Sequence, residues 1–230
     1  MALPRLNDVP KYTMTIPSSK KKVRYRPYLV REEKVLMMFS ESQDIKNGID
    51  SIVDLVCTCL EENINPRELT TFDVDYMFTQ IRSKSVGETA EFQVACSSCS
   101  DMNDYVVNLS ELSIDAPKFK KKVKLTDEYS VELKYPSYVD LHYEEDGTLD
   151  PISWVSACIE AVCSKEERTT LVDEPREEIE GFVGGLTSDQ YRKIIQEIQD
   201  LPTLKHEMHF VCQKCGEENN QILEGVHNFF

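Results

Sequence analysis

Two Cys-x-x-Cys pairs, with 112 residues between them, restrict how this chain of 230 residues can fold. The first pair is Cys96 and Cys99 in FQVACSSC, and the second is Cys212 and Cys215 in HFVCQKC. Each pair follows an extended apolar segment and precedes a polar one, a pattern typical of a knuckle at the tip of a β-hairpin. If all four sulfur atoms bind one ion, the intervening chain must form an insertion whose two ends meet.

We interpret the four cysteines as ligands of one structural Zn²⁺ per chain. Zinc in closed structural sites takes four tetrahedral ligands and favours thiolates, which two knuckles supply. The alternatives are two pairs of reduced thiols, or a thioredoxin-like redox site, which is disfavoured because neither pair opens a helix after a strand. His206 or His209, which precede the second pair in HEMH, could replace one ligand. Buried core thiols are the expectation for the other cysteines: Cys57, Cys59, Cys158 and Cys163.

Composition predicts a globular protein that is kept in a reducing cytosol. Hydrophobic residues make up 40% of the chain and charged residues 29%, and no apolar run reaches the roughly 18–20 residues that span a bilayer. The first 19 residues lack the apolar core of a secretory signal. The net charge is −15, although residues 1–34 contain nine basic and only three acidic side chains. This acidic body disfavours nucleic acid and favours a protein as the partner.

The periodicity predicts an α+β fold that begins with a hairpin and helices over residues 1–85. Alternation on both sides of Pro-Ser-Ser indicates a β-hairpin with these side chains on its apolar face: Tyr12, Met14, Ile16, Val23 and Tyr25. A helix is predicted at REEKVLMMFSES, and a second follows the apolar stripe from Ile49 to Leu60. A third helix is expected to begin at Thr70 or Thr71 as its N-cap.

Residues 86–230 are predicted to form a discontinuous zinc-ribbon-like β element, made from residues 86–113 and 206–230. The segment 114–205 is the insertion, and it opens with a hairpin in KKVKLTDEYSVELKYP. The apolar side chains of this hairpin share one parity: Val123, Leu125, Tyr129, Val131, Leu133 and Tyr135. Helices are expected to follow in DPISWVSACIEAVC, with Asp150 as cap and Pro151 at the first position, in REEIEGFVGGL, and after Thr187 or Ser188.

No catalytic motif emerges from the sequence, so we predict that the protein is not an enzyme. The two histidines of HEMH are three positions apart, whereas the zinc-protease helix needs four. Asp73 and Asp75 resemble paired catalytic carboxylates, but acidic side chains in the first turn of a helix explain them without chemistry. GFVGGL lacks the Gly-Lys-Ser/Thr of a phosphate loop and indicates a helix end or a turn. A zinc hydrolase remains an alternative that needs an open metal position.

The N-terminal hairpin is also a candidate surface for a partner. Its basic side chains are Lys20, Lys21, Lys22, Arg24 and Arg26. Such runs are common on solvated strand faces, and the functional alternative is docking onto an acidic surface of another protein. We take these five side chains as candidate partner-binding residues.

A family resemblance is carried by the opening TMTIPSSKKKVRYRPYLVREEKVLMM, by the knuckles ACSSC and VCQKC, and by the helical insertion. These parts resemble the baseplate hub subunit and hub-assembly proteins of T-even-type contractile-tailed phages. The resemblance implies a non-enzymatic role in the central hub of the tail baseplate, as a hub component or an assembly chaperone. It also implies hub and tape-measure proteins as partners, in the host cytoplasm during tail assembly or in the virion tail baseplate. The alternative is an acidic zinc-ribbon regulator that binds transcription or replication proteins.

Overall fold

A computed structural model describes residues 9–42, 45–109, 112, 114, 122–144, 147–172, 174–199 and 201–224 of the chain. Its elements are mixed α+β, as predicted. The α-helices are α1 Val30–Ser42, α2 Ile45–Cys59, α3 Thr71–Ser85, α4 Pro151–Ala157, α5 Arg176–Gly184 and α6 Ser188–Ile198. The strands are β1 Tyr12–Thr15, β2 Lys22–Tyr25, β3 Thr89–Ala95, β4 Met102–Asn108, β5 Lys122–Lys124, β6 Ser130–Leu133, β7 Ile159–Cys163, β8 Arg168–Thr170, β9 Lys205–Val211 and β10 Glu218–Glu224. None of the described helices combines the length and the apolar character that crossing a membrane requires.

The N-terminal hairpin and the three helices after it share one hydrophobic core. β1 and β2 are antiparallel, with Met14 opposite Val23, and the predicted apolar face of the hairpin is buried apart from the half-buried Tyr12. Helices α2 and α3 pack against this face, and Val56 of α2 and Met77 of α3 are fully buried in it. The predicted hairpin and helices of this region are therefore confirmed.

Asp73 joins the turn of the N-terminal hairpin to the first turn of α3. The N-cap of α3 is Thr70, whose side chain accepts from the backbone N–H of Asp73, while the Asp73 carboxylate accepts from the backbone N–H of Thr70. The same carboxylate accepts two hydrogen bonds from Ser18, from its backbone N–H at 2.9 Å and from its hydroxyl. Asp75 accepts from the hydroxyl of Tyr138 at 2.8 Å. Asp73 thus lies in the first turn of α3, as the non-catalytic explanation expects, whereas Asp75 lies beyond that turn. Both carboxylates are buried and accept structural hydrogen bonds.

The inserted segment forms a four-stranded antiparallel sheet in the order β5-β6-β7-β8. The predicted hairpin supplies β5 and β6, with Val123 opposite Val131, and both side chains are buried. Tyr129 is the exception to its predicted apolar face, because it lies next to the turn and is 50% exposed. Helices α4, α5 and α6 cover the sheet and bury Val155, Val183 and Ile194 against it.

The prediction of one helix over DPISWVSACIEAVC was wrong in its second half. Asp150 caps α4 as predicted, but the helix ends at Ala157, with Cys158 as its C-cap residue. Residues Ile159–Cys163 form β7 instead, in the centre of the sheet, where Val162 lies opposite Val131. The buried positions in β7 alternate with less buried ones, as a strand requires, so pairing with β6 overrides the helical interpretation.

The two remaining hairpins, β3–β4 and β9–β10, lie against each other although they are distant in sequence. Tyr105 of β4 contacts Phe92 on its own hairpin and both His206 and Phe210 on β9. A small core below them contains the buried side chains of Ala90, Val107, Leu109, Leu112 and Leu204. The expected approach of the two knuckle segments is thus observed, whereas the division of the chain between residues 85 and 86 stays a prediction.

Candidate metal centre

The four knuckle cysteines meet at the tips of the two hairpins. Cys96 and Cys99 follow β3, Cys212 and Cys215 follow β9, and all four sulfur atoms lie within 4.8 Å of one another. Two of the distances cross from one hairpin to the other, at 3.7 Å between Cys96 Sγ and Cys215 Sγ and 3.7 Å between Cys99 Sγ and Cys212 Sγ. These distances exclude disulfides, whose sulfur atoms are about 2.05 Å apart. Together the four thiols could hold one metal ion.

Both knuckles have the same backbone conformation. The backbone N–H of Ser100 donates to the carbonyl of Cys96 at 2.9 Å, and Gly216 donates to Cys212 at the same distance. Ser100 and Gly216 occupy the same place in the two turns, and both have positive φ, +57° and +74°. A left-handed residue at this position closes the turn, and glycine adopts it without strain. The two knuckles therefore form the same type of turn, and each turn directs two sulfur atoms toward one common position.

Two buried asparagines connect the knuckles to each other. Asn103 donates from Nδ2 to Cys212 Sγ at 3.7 Å and accepts the backbone N–H of Gln213 at 3.0 Å. Asn219 donates from Nδ2 to Cys96 Sγ at 3.5 Å and accepts the backbone N–H of Ser97 at 2.9 Å. The sequence interpretation missed both residues. Their signal was the spacing, since each asparagine follows the first cysteine of its own knuckle by seven positions.

The surroundings of the sulfur atoms favour ionisation of the first cysteine in each knuckle. A hydrogen bond from the backbone N–H of Cys215 is the largest cause that lowers the pKa of Cys212, to about 6. The backbone N–H of Cys99 lowers the pKa of Cys96 in the same way. The backbone N–H of Glu217 favours the thiolate of Cys215, but hydrogen bonding to Cys99 and burial outweigh it and raise the pKa to about 12. A bound metal cation would supply the positive charge that allows a thiol with a raised pKa, such as that of Cys215, to lose its proton.

Neither histidine of HEMH belongs to the metal-binding group that the described residues form. His206 points to the inner side of its hairpin, where its Nε2 lies 3.2 Å from the hydroxyl of Tyr105. His209 lies on the outer side, with Nδ1 at 2.5 Å from Oδ1 of Asn220. Because β9 is a strand, side chains three positions apart point to opposite faces, so the two histidines do not converge on one ion.

Comparison with known protein families agrees with the resemblance in the sequence. A family model described as T4 bacteriophage base plate protein matches residues 9–230. The chain belongs to this family. No match is found among curated proteins or among solved structures. The family supports a structural role in the baseplate, as part of the virion tail and in contact with other baseplate proteins, and it does not favour the alternative of a transcription or replication regulator.

The remaining cysteines of this baseplate protein are core residues for the most part. Cys59, Cys158 and Cys163 are buried, as expected, while Cys57 is only half-buried. Burial raises the pKa of Cys59 and of Cys158 to about 12, so both thiols stay protonated and unreactive at neutral pH. Cys158 and Cys163 do not share a helix as predicted, because the first caps α4 and the second ends β7.

The five candidate partner-binding residues differ in how far they are available to a partner. Lys20, Lys21 and Lys22 are exposed, and none of them forms an ion pair with another residue in the described part of the chain. Arg24 is exposed but pairs with Glu61 at 2.8 Å. Arg26 is half-buried and makes a two-pronged contact with Glu32, both N–O distances being 2.9 Å. The three lysines therefore stay the better candidates, and Arg26 has a structural contact of its own.

Proposed function

We propose that this protein acts in the baseplate hub, as a hub component or as an assembly chaperone for other hub proteins, through protein–protein contacts and without catalysis. The observation that carries the proposal is the family match over residues 9–230. The cysteine cluster agrees with it, because a metal held by four sulfur atoms has no open position for a substrate or water. The cluster thus fits a structural centre better than a hydrolase.

Zinc is the ion that we propose for this centre, one per chain. A Zn–S bond of about 2.3 Å gives a tetrahedron of sulfur atoms with edges of about 3.8 Å. Two edges are already close to this length, since both short sulfur–sulfur distances are 3.7 Å. Four thiolates also suit zinc among the divalent ions, because harder ions prefer oxygen ligands. The metal would tie β3–β4 to β9–β10 and so hold the C-terminal part of the chain in place.

The N-terminal region supplies the surface that we propose for hub or tape-measure partners. Lys20, Lys21 and Lys22 give a positive segment to a protein of net charge −15. Helix α1 follows, and it exposes 79% of Val30 and 59% of Met37. These two residues are seven positions apart and therefore lie on the same face of the helix. Exposed apolar side chains on α1 and basic side chains at the hairpin turn fit a partner that offers both apolar and acidic contacts.

Isolation of tail intermediates from infected cells tests this function. We expect the tagged protein to co-purify with hub or tape-measure proteins from the host cytoplasm, and mass spectrometry of finished tails will tell a retained component from a chaperone. Deletion of its gene should leave tails without a complete baseplate. The proposal fails if no tail protein co-purifies and normal tails assemble in the absence of the protein.

Charge reversal at the hairpin turn tests the partner surface. We expect the triple variant Lys20→Glu, Lys21→Glu, Lys22→Glu to bind the co-purified hub partner about tenfold more weakly or worse, since a positive patch becomes negative. The loss should be larger at 50 mM than at 300 mM salt, because ions screen exposed charges. Binding is measured by biolayer interferometry at both salt concentrations.

The matched control changes the same net charge elsewhere on the surface. Lys46, Lys165 and Lys193 are exposed, and they are replaced by glutamate together. If this control weakens binding as much as the hairpin variant, net charge rather than the hairpin surface determines affinity, and the assignment of the surface is wrong.

A further inference from the structure

We propose that Asn103 and Asn219 are positioning residues that strengthen the metal centre, each by acting on the knuckle to which it does not belong. The inference rests on the proposed zinc site and goes beyond its four ligands. Each asparagine lies on the second strand of its own hairpin, yet its side chain contacts the first cysteine of the other hairpin. The two contacts form a reciprocal pair across more than 100 residues of sequence.

Every polar group of the Asn103 side chain is used. Nδ2 donates one hydrogen bond to the carbonyl of Asp101, at 2.9 Å within its own turn, and another to Cys212 Sγ at 3.7 Å. Oδ1 accepts the backbone N–H of Gln213 at 3.0 Å. If the amide oxygen and nitrogen were exchanged, the side-chain NH2 group would face the backbone N–H of Gln213, which is also a donor. The hydrogen bonds therefore determine the orientation of the amide.

Asn219 repeats the arrangement on the other side of the centre. Nδ2 donates to the carbonyl of Glu217 at 3.0 Å and to Cys96 Sγ at 3.5 Å. Oδ1 accepts both the backbone N–H and the hydroxyl of Ser97, at 2.9 and 2.8 Å. The exposed fraction is 4% for Asn103 and 2% for Asn219. Water therefore does not compete for these hydrogen bonds, and unmet polar groups at these positions would be costly.

Two physical effects follow from this geometry. An N–H donor at a thiolate stabilises its negative charge and fixes the direction of its lone pairs, which is how outer residues tune a metal centre. The acceptor oxygen fixes the backbone directly after the opposite first cysteine, so the two knuckles are held at the proper separation. Loss of such outer partners typically weakens metal binding by about 10–100-fold.

Two substitutions at each position separate these effects. Asn103→Asp keeps the acceptor for Gln213 but removes the donor and adds a charge, whereas Asn103→Leu removes donor and acceptor without a charge. Asn219→Asp and Asn219→Leu do the same on the other side. Zn²⁺ affinity is measured by chelator competition, and Co²⁺ is used alone to record the thiolate-to-metal charge-transfer band.

We expect all four variants to bind Zn²⁺ about 10–100-fold more weakly than the wild-type chain, with the Co²⁺ band moved to longer wavelength. An effect of leucine alone overturns the role of the N–H donor and leaves only the acceptor that fixes the backbone, because aspartate keeps the acceptor but lacks the donor. An effect of aspartate alone means that the added charge is responsible; that result overturns the whole inference, as do four unchanged variants. The band position is informative because a purely structural role would leave it unmoved in a fully loaded chain.

Asn220→Asp is the matched control. Asn220 is the neighbour of Asn219 on β10 but is exposed and faces His209. It should keep wild-type affinity and the wild-type Co²⁺ band. A wild-type chain that takes up neither Zn²⁺ nor Co²⁺ overturns the zinc proposal itself. Tight wild-type binding with unchanged asparagine variants overturns only the inference.

Discussion

Replacement of Cys212 by serine is expected to release the metal and to lower the melting temperature by about 10 °C or more. Cys212 is buried, and its sulfur lies 3.7 Å from Cys99 Sγ at the centre of the cluster. A serine hydroxyl does not replace a thiolate as a zinc ligand, and the binding energy of structural zinc is folding energy. Cys99→Ser should have the same effect, because both residues contribute to one ion.

The expected size of this effect follows from the elements that the metal joins. β3–β4 and β9–β10 are separate two-stranded hairpins, and an isolated hairpin of this kind is marginally stable at best. The core beneath them is small compared with the other two, and three of its five buried residues, Leu109, Leu112 and Leu204, lie outside the four strands. Without the metal, we therefore expect amide hydrogen exchange to increase first in Thr89–Asn108 and Lys205–Glu224.

Elemental analysis and thermal unfolding check this prediction together. The wild-type chain should contain about one zinc, and a chelator should lower its melting temperature to that of Cys212→Ser, which should not respond to the chelator. Cys57→Ser is the control, because Cys57 is half-buried on α2, far from the group of four cysteines in sequence, and should keep the metal. Wild-type stability in Cys212→Ser, with no metal in either protein, would contradict the zinc site.

The cluster of four cysteines was predictable because its signal is local and repeated. Each Cys-x-x-Cys pair can provide half of a tetrahedral site, so the hypothesis of one shared ion predicts that residues near 96 and 212 meet. The asparagines carried a similar signal in their spacing, but their role depends on contacts with the opposite knuckle. Asn103 and Cys212 are separated by 109 positions, and such a contact has no local pattern.

The strand β7 shows why another part of the fold was missed. The segment ACIEAVC contains apolar residues at spacings that suit either a helix or a strand, and neither glycine nor proline marks the end of α4. The strand conformation of this segment comes from its pairing with β6 and β8, because Val162 lies opposite Val131 on one side and Thr169 on the other. Tertiary pairing of this kind outweighs intrinsic preference in short segments.

A second large effect is expected from Asp73→Ala, which should lower the free energy of unfolding by about 2–4 kcal/mol. Asp73 is fully buried and accepts three hydrogen bonds, one from the backbone of Thr70 and two from Ser18. Alanine leaves these donors without an acceptor and also removes one half of the capping box of α3. Urea unfolding, followed by circular dichroism in zinc-containing buffer, measures the loss.

A comparison of Asp73→Ala with Ser18→Ala shows how much of the lost stability comes from the hydrogen bond between the Ser18 hydroxyl and the Asp73 carboxylate. Ser18 lies in the TIPSS segment of the opening that carries the family resemblance, and its hydroxyl donates to the carboxylate of Asp73. Because the two side chains interact directly, the double variant should lose less stability than the two single losses together. Asp54→Ala removes an exposed carboxylate from α2 and should change stability by no more than about 0.5 kcal/mol. If Asp73→Ala costs no more than this control, the buried carboxylate does not stabilise the N-terminal region, and the hydrogen bonds between hairpin and helix contribute nothing to its stability.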